Sequence, residues 1–209
     1  DTLYVSGSMV SSLMQGNAGA DTLTVGGALK TSTARGGTGN DTLSFGNSVT
    51  GSTVYGDKGR DTIHIGSSGK LISSLVQGGS NVDTTTDGAD SISIGMAITS
   101  STVLGNAGND VINLAGTALV TGSSVHGGKD ADSITTGAKT LTSSYLAGDL
   151  GNDTIALAAT SAYGTTIYGD NSTTSGGDDS INLGSGMANF DNSTVYGGSG
   201  KDTIVGADT

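Results

Sequence analysis

Short stretches of alternating apolar and polar residues recur along this chain at nearly constant spacing. Leu3 and Val5 flank Tyr4, Leu23 and Val25 flank Thr24, Leu43 and Phe45 flank Ser44, and Ile63 and Ile65 flank His64. Ile92 and Ile94, Ile112 and Leu114, Ile155 and Leu157, and Ile181 and Leu183 continue the series, with Thr136 a polar exception at an inner position. A period of two predicts strands with these residues facing inward and the residues between them facing outward. A second strand follows in each unit and reads Ser-Thr-Val-Tyr-Gly at 52–56. Its inward residues are Met14, Ala34, Val54, Val76, Val103, Val125, Leu146, Ile167 and Val195. Two positions before each stands a small hydroxyl, as in Ser32, Ser52 and Ser123. Three residues before the hydroxyl comes a mostly apolar plug: Met9, Leu29, Val49, Leu71, Ile98, Val120, Leu141, Ala162 or Phe190.

Units aligned on Asp followed by Thr, Ser or Val and then Ile or Leu start at Asp1, Asp21, Asp41, Asp61, Asp90, Asp110, Asp132, Asp153, Asp179 and Asp202. The spacing is about 20 residues, stretched by insertions after Gly78 and Gly169. Each unit reads as a short strand, a variable corner, a second strand and a Gly-rich corner. A handful of apolar side chains per unit cannot bury a core alone, but stacked units share one. Constant phase predicts parallel, in-register strands about 4.8 Å apart, joined by right-handed crossovers. The expected fold is all-β, a right-handed parallel β-solenoid of roughly ten coils and on the order of 45–50 Å long. A hairpin-built sandwich would need no such fixed phase. The whole of 1–209 reads as one solenoid region. The pattern is already running at Asp1 and still running at Thr209, so the expectation is a piece of a longer chain.

Composition sharpens this picture. Glycine contributes 37 residues and the net charge is −11. Every acidic residue is Asp, which suits short carboxylates placed in tight turns. The negative balance argues against nucleic acid or an anionic membrane surface as partner and favours a cation. Cysteine is absent, so disulfides cannot staple the coils. No apolar run is long enough to span a membrane.

The Gly-rich corners are where the acid sits. They read GNAGAD at 16–21, GGTGND at 36–41, GDKGRD at 56–61, GNAGND at 105–110, GGKDAD at 127–132, GDLGND at 148–153 and GGSGKD at 197–202. Two are stretched, from Gly78 to Asp90 and from Gly169 to Asp179. In register, successive Asp carboxylates about 5 Å apart repel by roughly 3 kcal/mol at an effective dielectric near 20. Such a column requires protons or cations. Calcium takes six to eight oxygen ligands and suits it.

These corners resemble the calcium-binding nonapeptide G-G-x-G-x-D-x-U-x of haemolysin-type (RTX) proteins, with U supplied by residues such as Leu43. Within that family they are most similar to the repeat regions of cyanobacterial surface fibril proteins of the oscillin type. The motif occupies one corner per coil rather than two, so the resemblance implies one row of several calcium ions. It assigns them to Asp21, Asp41, Asp61, Asp90, Asp110, Asp132, Asp153, Asp179 and Asp202. The corner glycines complete the sites through backbone carbonyls: Gly16, Gly19, Gly36, Gly39, Gly56, Gly59, Gly105, Gly108, Gly127, Gly148, Gly151, Gly197 and Gly200. The insertions at 78–90 and 169–179 are the places where the row could break or reroute.

Other chemistry is sparse. His64 and His126 lie in outward columns, His126 together with Tyr55, Tyr168 and Tyr196, and neither has a second His or a Cys in phase. Arg35 and Arg60 are the only arginines, and no carboxylate pair converges with them to suggest a lyase. Outward corner pairs such as Ala18/Ala20 and Lys58/Arg60 form no ladder of the kind an ice-binding face needs. The expected function is that of a calcium-stabilised extracellular structural protein, not an enzyme, self-associating into a fibre or layer at the cell surface. An adhesin stalk and a calcium-folded module of a secreted enzyme are the alternatives.

Overall fold

A computed structural model describes residues 1–80, 87–114, 119–171 and 176–206. The described chain is all strand and turn, wound into a parallel solenoid whose strands stack in three sheets. The first sheet has ten strands, from Thr2–Val5 and Thr22–Val25 to Thr203–Val205. The second has nine short strands, such as Leu29–Lys30 and Thr140–Thr142, and the third nine strands, such as Thr53–Lys58 and Tyr145–Leu150.

The register is the one the alternation predicts. Leu3 pairs with Leu23, Leu23 with Leu43, Leu43 with Ile63 and Ile63 with Ile92. It survives both insertions, because Ile155 pairs with Ile181 across the second one. Inward residues from all three sheets meet in one core. Leu23, Leu43, Val54, Ile63, Leu71, Ile134 and Ile167 are wholly buried. Thr136, the polar residue among them, is also fully buried, and its Oγ1 accepts the Ala138 N–H at 3.1 Å. The core tolerates it because that oxygen has a local donor.

One expectation needs correcting. The segment between the two expected strands is itself a strand in every coil, and the apolar plug is its inward residue: Met9 pairs with Leu29, Leu29 with Val49, Val49 with Leu71 and Leu71 with Ile98. The coil is therefore three-sided. A strand of two or three residues contributes a single inward side chain, too few to display a period of two.

The bend from second to third sheet is one residue in the left-handed region in each coil, from Ser11 (φ 48°) and Thr31 (48°) through Gly51 (55°) to Asn192 (47°). The hydroxyl column follows immediately and serves two bonds. Ser52 Oγ donates to the Thr50 carbonyl at 2.9 Å across the bend, and accepts the Ser32 N–H of the previous coil at 3.1 Å. Ser32, Ser74 and Ser101 repeat both bonds. A hydroxyl has one proton and two lone pairs, so each serine on this ladder is satisfied.

Candidate metal centre

The opposite corner, between third and first sheets, carries the aspartates. Asp21, Asp41, Asp61, Asp90, Asp110, Asp132, Asp153 and Asp179 are buried and Asp202 is half-buried. Each carboxylate reaches back along the stack. Asp41 Oδ1 accepts the Asp21 N–H at 2.7 Å, Asp61 Oδ1 that of Asp41 and Asp90 Oδ1 that of Asp61. The ladder continues through Asp110, Asp132, Asp153 and Asp179 to Asp202, whose Oδ1 accepts from Asp179 at 3.1 Å. Both stretched corners keep their place in it, so the insertions do not break the column.

An ionised carboxylate only accepts hydrogen bonds. Oδ1 is used by the ladder, and Oδ2 of all eight buried aspartates is left buried with no partner. Burial pushes Asp61, Asp110 and Asp179 up to about 7, Asp90 and Asp132 to about 9 and Asp153 to about 6. The ladder bond pulls each the other way, and charged neighbours add to the rise. Without a cation these six folded carboxylates therefore keep protons to a higher pH than the unfolded chain does.

The oxygens of each corner converge. A side chain at Gly36 would stand within 3.0 Å of both Asp41 Oδ2 and the Gly56 carbonyl of the next coil. Gly16, Gly56, Gly105 and Gly127 show the same pairing of their own coil's Asp with the next coil's glycine carbonyl. At Gly148 and Gly197 a side chain would collide with Asp153 and Asp202. This crowding fixes the first glycine of each corner. None of these glycines has positive φ. The left-handed backbone falls instead on the second corner residue, where Asn17, Gly37, Asp57, Asn106, Gly128, Asp149 and Gly198 take φ between 80° and 128°, and on the fourth, where Gly19, Gly39, Gly59, Gly108, Gly151 and Gly200 take φ between 105° and 135°. Asp130 takes that place at the GGKDAD corner with φ 73°, an angle Asp tolerates better than most residues. An all-oxygen donor set with an orphaned carboxylate oxygen at each coil fits a hard cation with flexible coordination, which is calcium.

Among the described residues, one group of three carboxylates can bring an oxygen from each within 4.8 Å of the others: Asp153, Asp170 and Asp179. Asp170 was not a predicted site residue. It sits second in its corner, where the nonapeptide has glycine and where Asp57 and Asp149 stand in theirs. Part of each insertion, residues 81–86 and 172–175, lies outside the described residues.

Arg35 and His126 have structural partners. Arg35 lies 4.8 Å over the Tyr55 ring and forms a two-point ion pair with Asp57. His126 stacks on Tyr145, Tyr145 on Tyr168 and Tyr168 on Tyr196, at 5.1, 5.5 and 4.8 Å between ring centres. The expected column lacked Tyr145. Its ring fills the gap left by Ala147, which pairs with both His126 and Tyr168. His126 also joins Ser124 Oγ (2.7 Å, through Nε2) and Asp149 Oδ2 (2.9 Å, through Nδ1). That is the connectivity of a nucleophile, base and orienting acid. It lies on a strand face paired on both sides.

The RTX calcium-binding nonapeptide repeat matches the chain in four copies, over residues 32–47, 100–116 and 187–208. These repeats bind calcium and are typical of secreted proteins. No curated protein and no solved structure matches the chain.

Two predictions follow the geometry. Gly36→Ala places a methyl against Asp41 Oδ2 and the Gly56 carbonyl, whereas Gly46→Ala meets nothing closer than 3.3 Å. Overpacking costs about 1–3 kcal/mol, and about 1 kcal/mol moves the melting temperature of a chain this size by roughly 2–4 °C, so G36A in saturating calcium should melt about 2–12 °C lower. G46A should stay within about 2 °C. Thermal melts followed by circular dichroism measure both, and equal melting temperatures would refute the crowded-oxygen site. The second concerns pH. A folded carboxylate raised from about 4 to between 6 and 9 costs the fold nothing below pH 4, because both states are protonated there. The penalty grows as pH rises through that window. Calcium-free chain should melt at lower temperature at pH 8 than at pH 5, and saturating calcium should reverse the order. A calcium-free melting temperature that rises with pH would contradict the protonated column.

Proposed function

We propose that this stretch of RTX calcium-binding repeats is a stiff structural element of an extracellular fibre or layer at the cell surface, and that it performs no catalysis. In this reading one row of calcium ions lies between successive coils. It is held by Asp21, Asp41, Asp61, Asp90, Asp110, Asp132, Asp153, Asp179 and Asp202, with corner carbonyls completing each site. The observation that carries the proposal is the unbroken register. All three sheets and the aspartate ladder pass through both insertions without a shift, so axial stiffness belongs to the whole described stack. Solenoid units depend on their neighbours for stability, and an ion between each pair of coils ties one to the next.

The surface agrees with such a role. Outward positions are mostly small and polar, and the His126–Tyr145–Tyr168–Tyr196 ladder reinforces one face along the stacking direction. A net charge of −11 disfavours nucleic acid and anionic lipid, and no insertion into a membrane is proposed. Calcium bridging exposed carboxylates and coil ends would bring molecules together into a filament or sheet.

The test is assembly itself. Purified chain in millimolar calcium should sediment as species larger than one copy and appear in negative-stain electron microscopy as filaments or sheets. A chelator should dissolve them. Single particles of one chain at every calcium and protein concentration would defeat the self-assembling reading and favour a monomeric module.

A further inference from the structure

We propose that at the second stretched corner the calcium site between Asp153 and Asp179 differs in kind from the rest of the row, because Asp170 and the Ser199 hydroxyl join its ligands. This rests on calcium occupying the row, and it adds ligands that the repeat motif does not contain.

Ten buried side-chain atoms lack a hydrogen-bond partner among the described residues. Eight are the Oδ2 atoms of the row. The other two are Asp170 Oδ1 and Ser199 Oγ, and both are at this corner. A side chain at Gly176 would strike Asp170 Oδ2 and Ser199 Oγ together, so the Ser199 hydroxyl lies beside the Asp170 carboxylate. Asp170 is 2% exposed. Each of the three carboxylates has one oxygen occupied by a backbone N–H. Asp153 Oδ1 accepts from Asp132, Asp179 Oδ1 from Asp153 and Asp170 Oδ2 from Gly177 at 3.1 Å. Each has its second oxygen orphaned. Three ligand oxygens within 4.8 Å of one another match the spread around an ion bound at about 2.3–2.6 Å.

The first stretched corner supplies an internal control. Aligned on the first glycine and the last Asp, Gly79 corresponds to Asp170 and Asp87 to Gly176. The two insertions thus place an acid against a glycine with the roles exchanged, because a side chain at Gly79 would collide with the Asp87 carboxylate. There the carboxylate is capped at both oxygens, by the Ser80 N–H (2.6 Å) and the Gly88 N–H (3.1 Å). Asp87 therefore closes its turn, whereas Asp170 keeps an oxygen for an ion. Other acids at the second corner position are also paired off, Asp57 with Arg35 and Asp149 with His126 and Asn171. Calcium affinity rises with the number of ligand charges, so a three-carboxylate site fills before the rest of the row and empties after it.

The test loads the full chain with calcium, dialyses it to falling free calcium, and counts bound ions by atomic absorption while circular dichroism follows the fold. Wild-type chain should keep one ion at free calcium about tenfold below the level that empties the rest of the row, tenfold being about 1.4 kcal/mol. Asp170→Gly restores the residue found at Gly37, Gly128 and Gly198 and should lose that ion alone. D170N, which keeps the side chain's size, should do the same, and D57G should retain the ion. Wild type emptying in a single step, or D170G keeping the late ion, overturns the proposal. Chain that binds no calcium at any concentration overturns the row as well, so the two failures are distinguishable.

Discussion

The structure depends on an oxygen atom left over at each turn of the aspartate corner. Both long edges of this solenoid use the same device, a short side chain that accepts a backbone N–H from the neighbouring coil. At one edge the acceptor is a serine hydroxyl, which then donates its proton across the bend and is satisfied. At the other it is an aspartate, and its second oxygen is buried with nothing to receive. A buried carboxylate in that state is costly unless it is protonated or neutralised. Repeated at every coil, the cost becomes a property of the fold rather than of a residue.

Much of the sequence follows from that constraint. Aspartate rather than glutamate stands on the ladder, where an extra methylene would carry the carboxylate past the amide it must reach. The first corner glycine is bare because its own coil's Asp and the next coil's carbonyl occupy the space of a side chain. The core offers only a few apolar residues per coil and no disulfide, so the ion that settles the column is also what favours the folded chain. Metal binding and folding are then coupled, each favouring the other. Insertions are admitted only where they leave the first glycine and the last Asp in phase, as at Gly78–Asp90 and Gly169–Asp179.

Periodicity alone gave the coil, the register, the inward residues Leu43, Phe45, Val49 and Val54, and the row of aspartates. What it concealed was short or non-periodic. The middle strand offers one inward residue per coil, so Leu29 or Val49 read as a plug rather than as part of a sheet. Tyr145 joined the aromatic ladder from a neighbouring column because Ala147 left room for it. The glycines looked alike in sequence, yet Gly36 answers to crowding and Gly39 to a φ of 130°. Asp170 was passed over because it shares its corner position with Asp57 and Asp149, and only its burial sets it apart.

The most direct test is to locate the metal. Crystals of the chain grown in calcium, measured at long wavelength, should give anomalous-difference peaks in one line along the glycine-rich corner. Each peak should lie beside the Oδ2 atom of a row aspartate such as Asp41, Asp61 or Asp110, with none at the serine edge. A fully folded stack whose aspartate column shows no such peaks at saturating calcium would contradict the central claim, because the orphaned oxygens would then be stable without the ion.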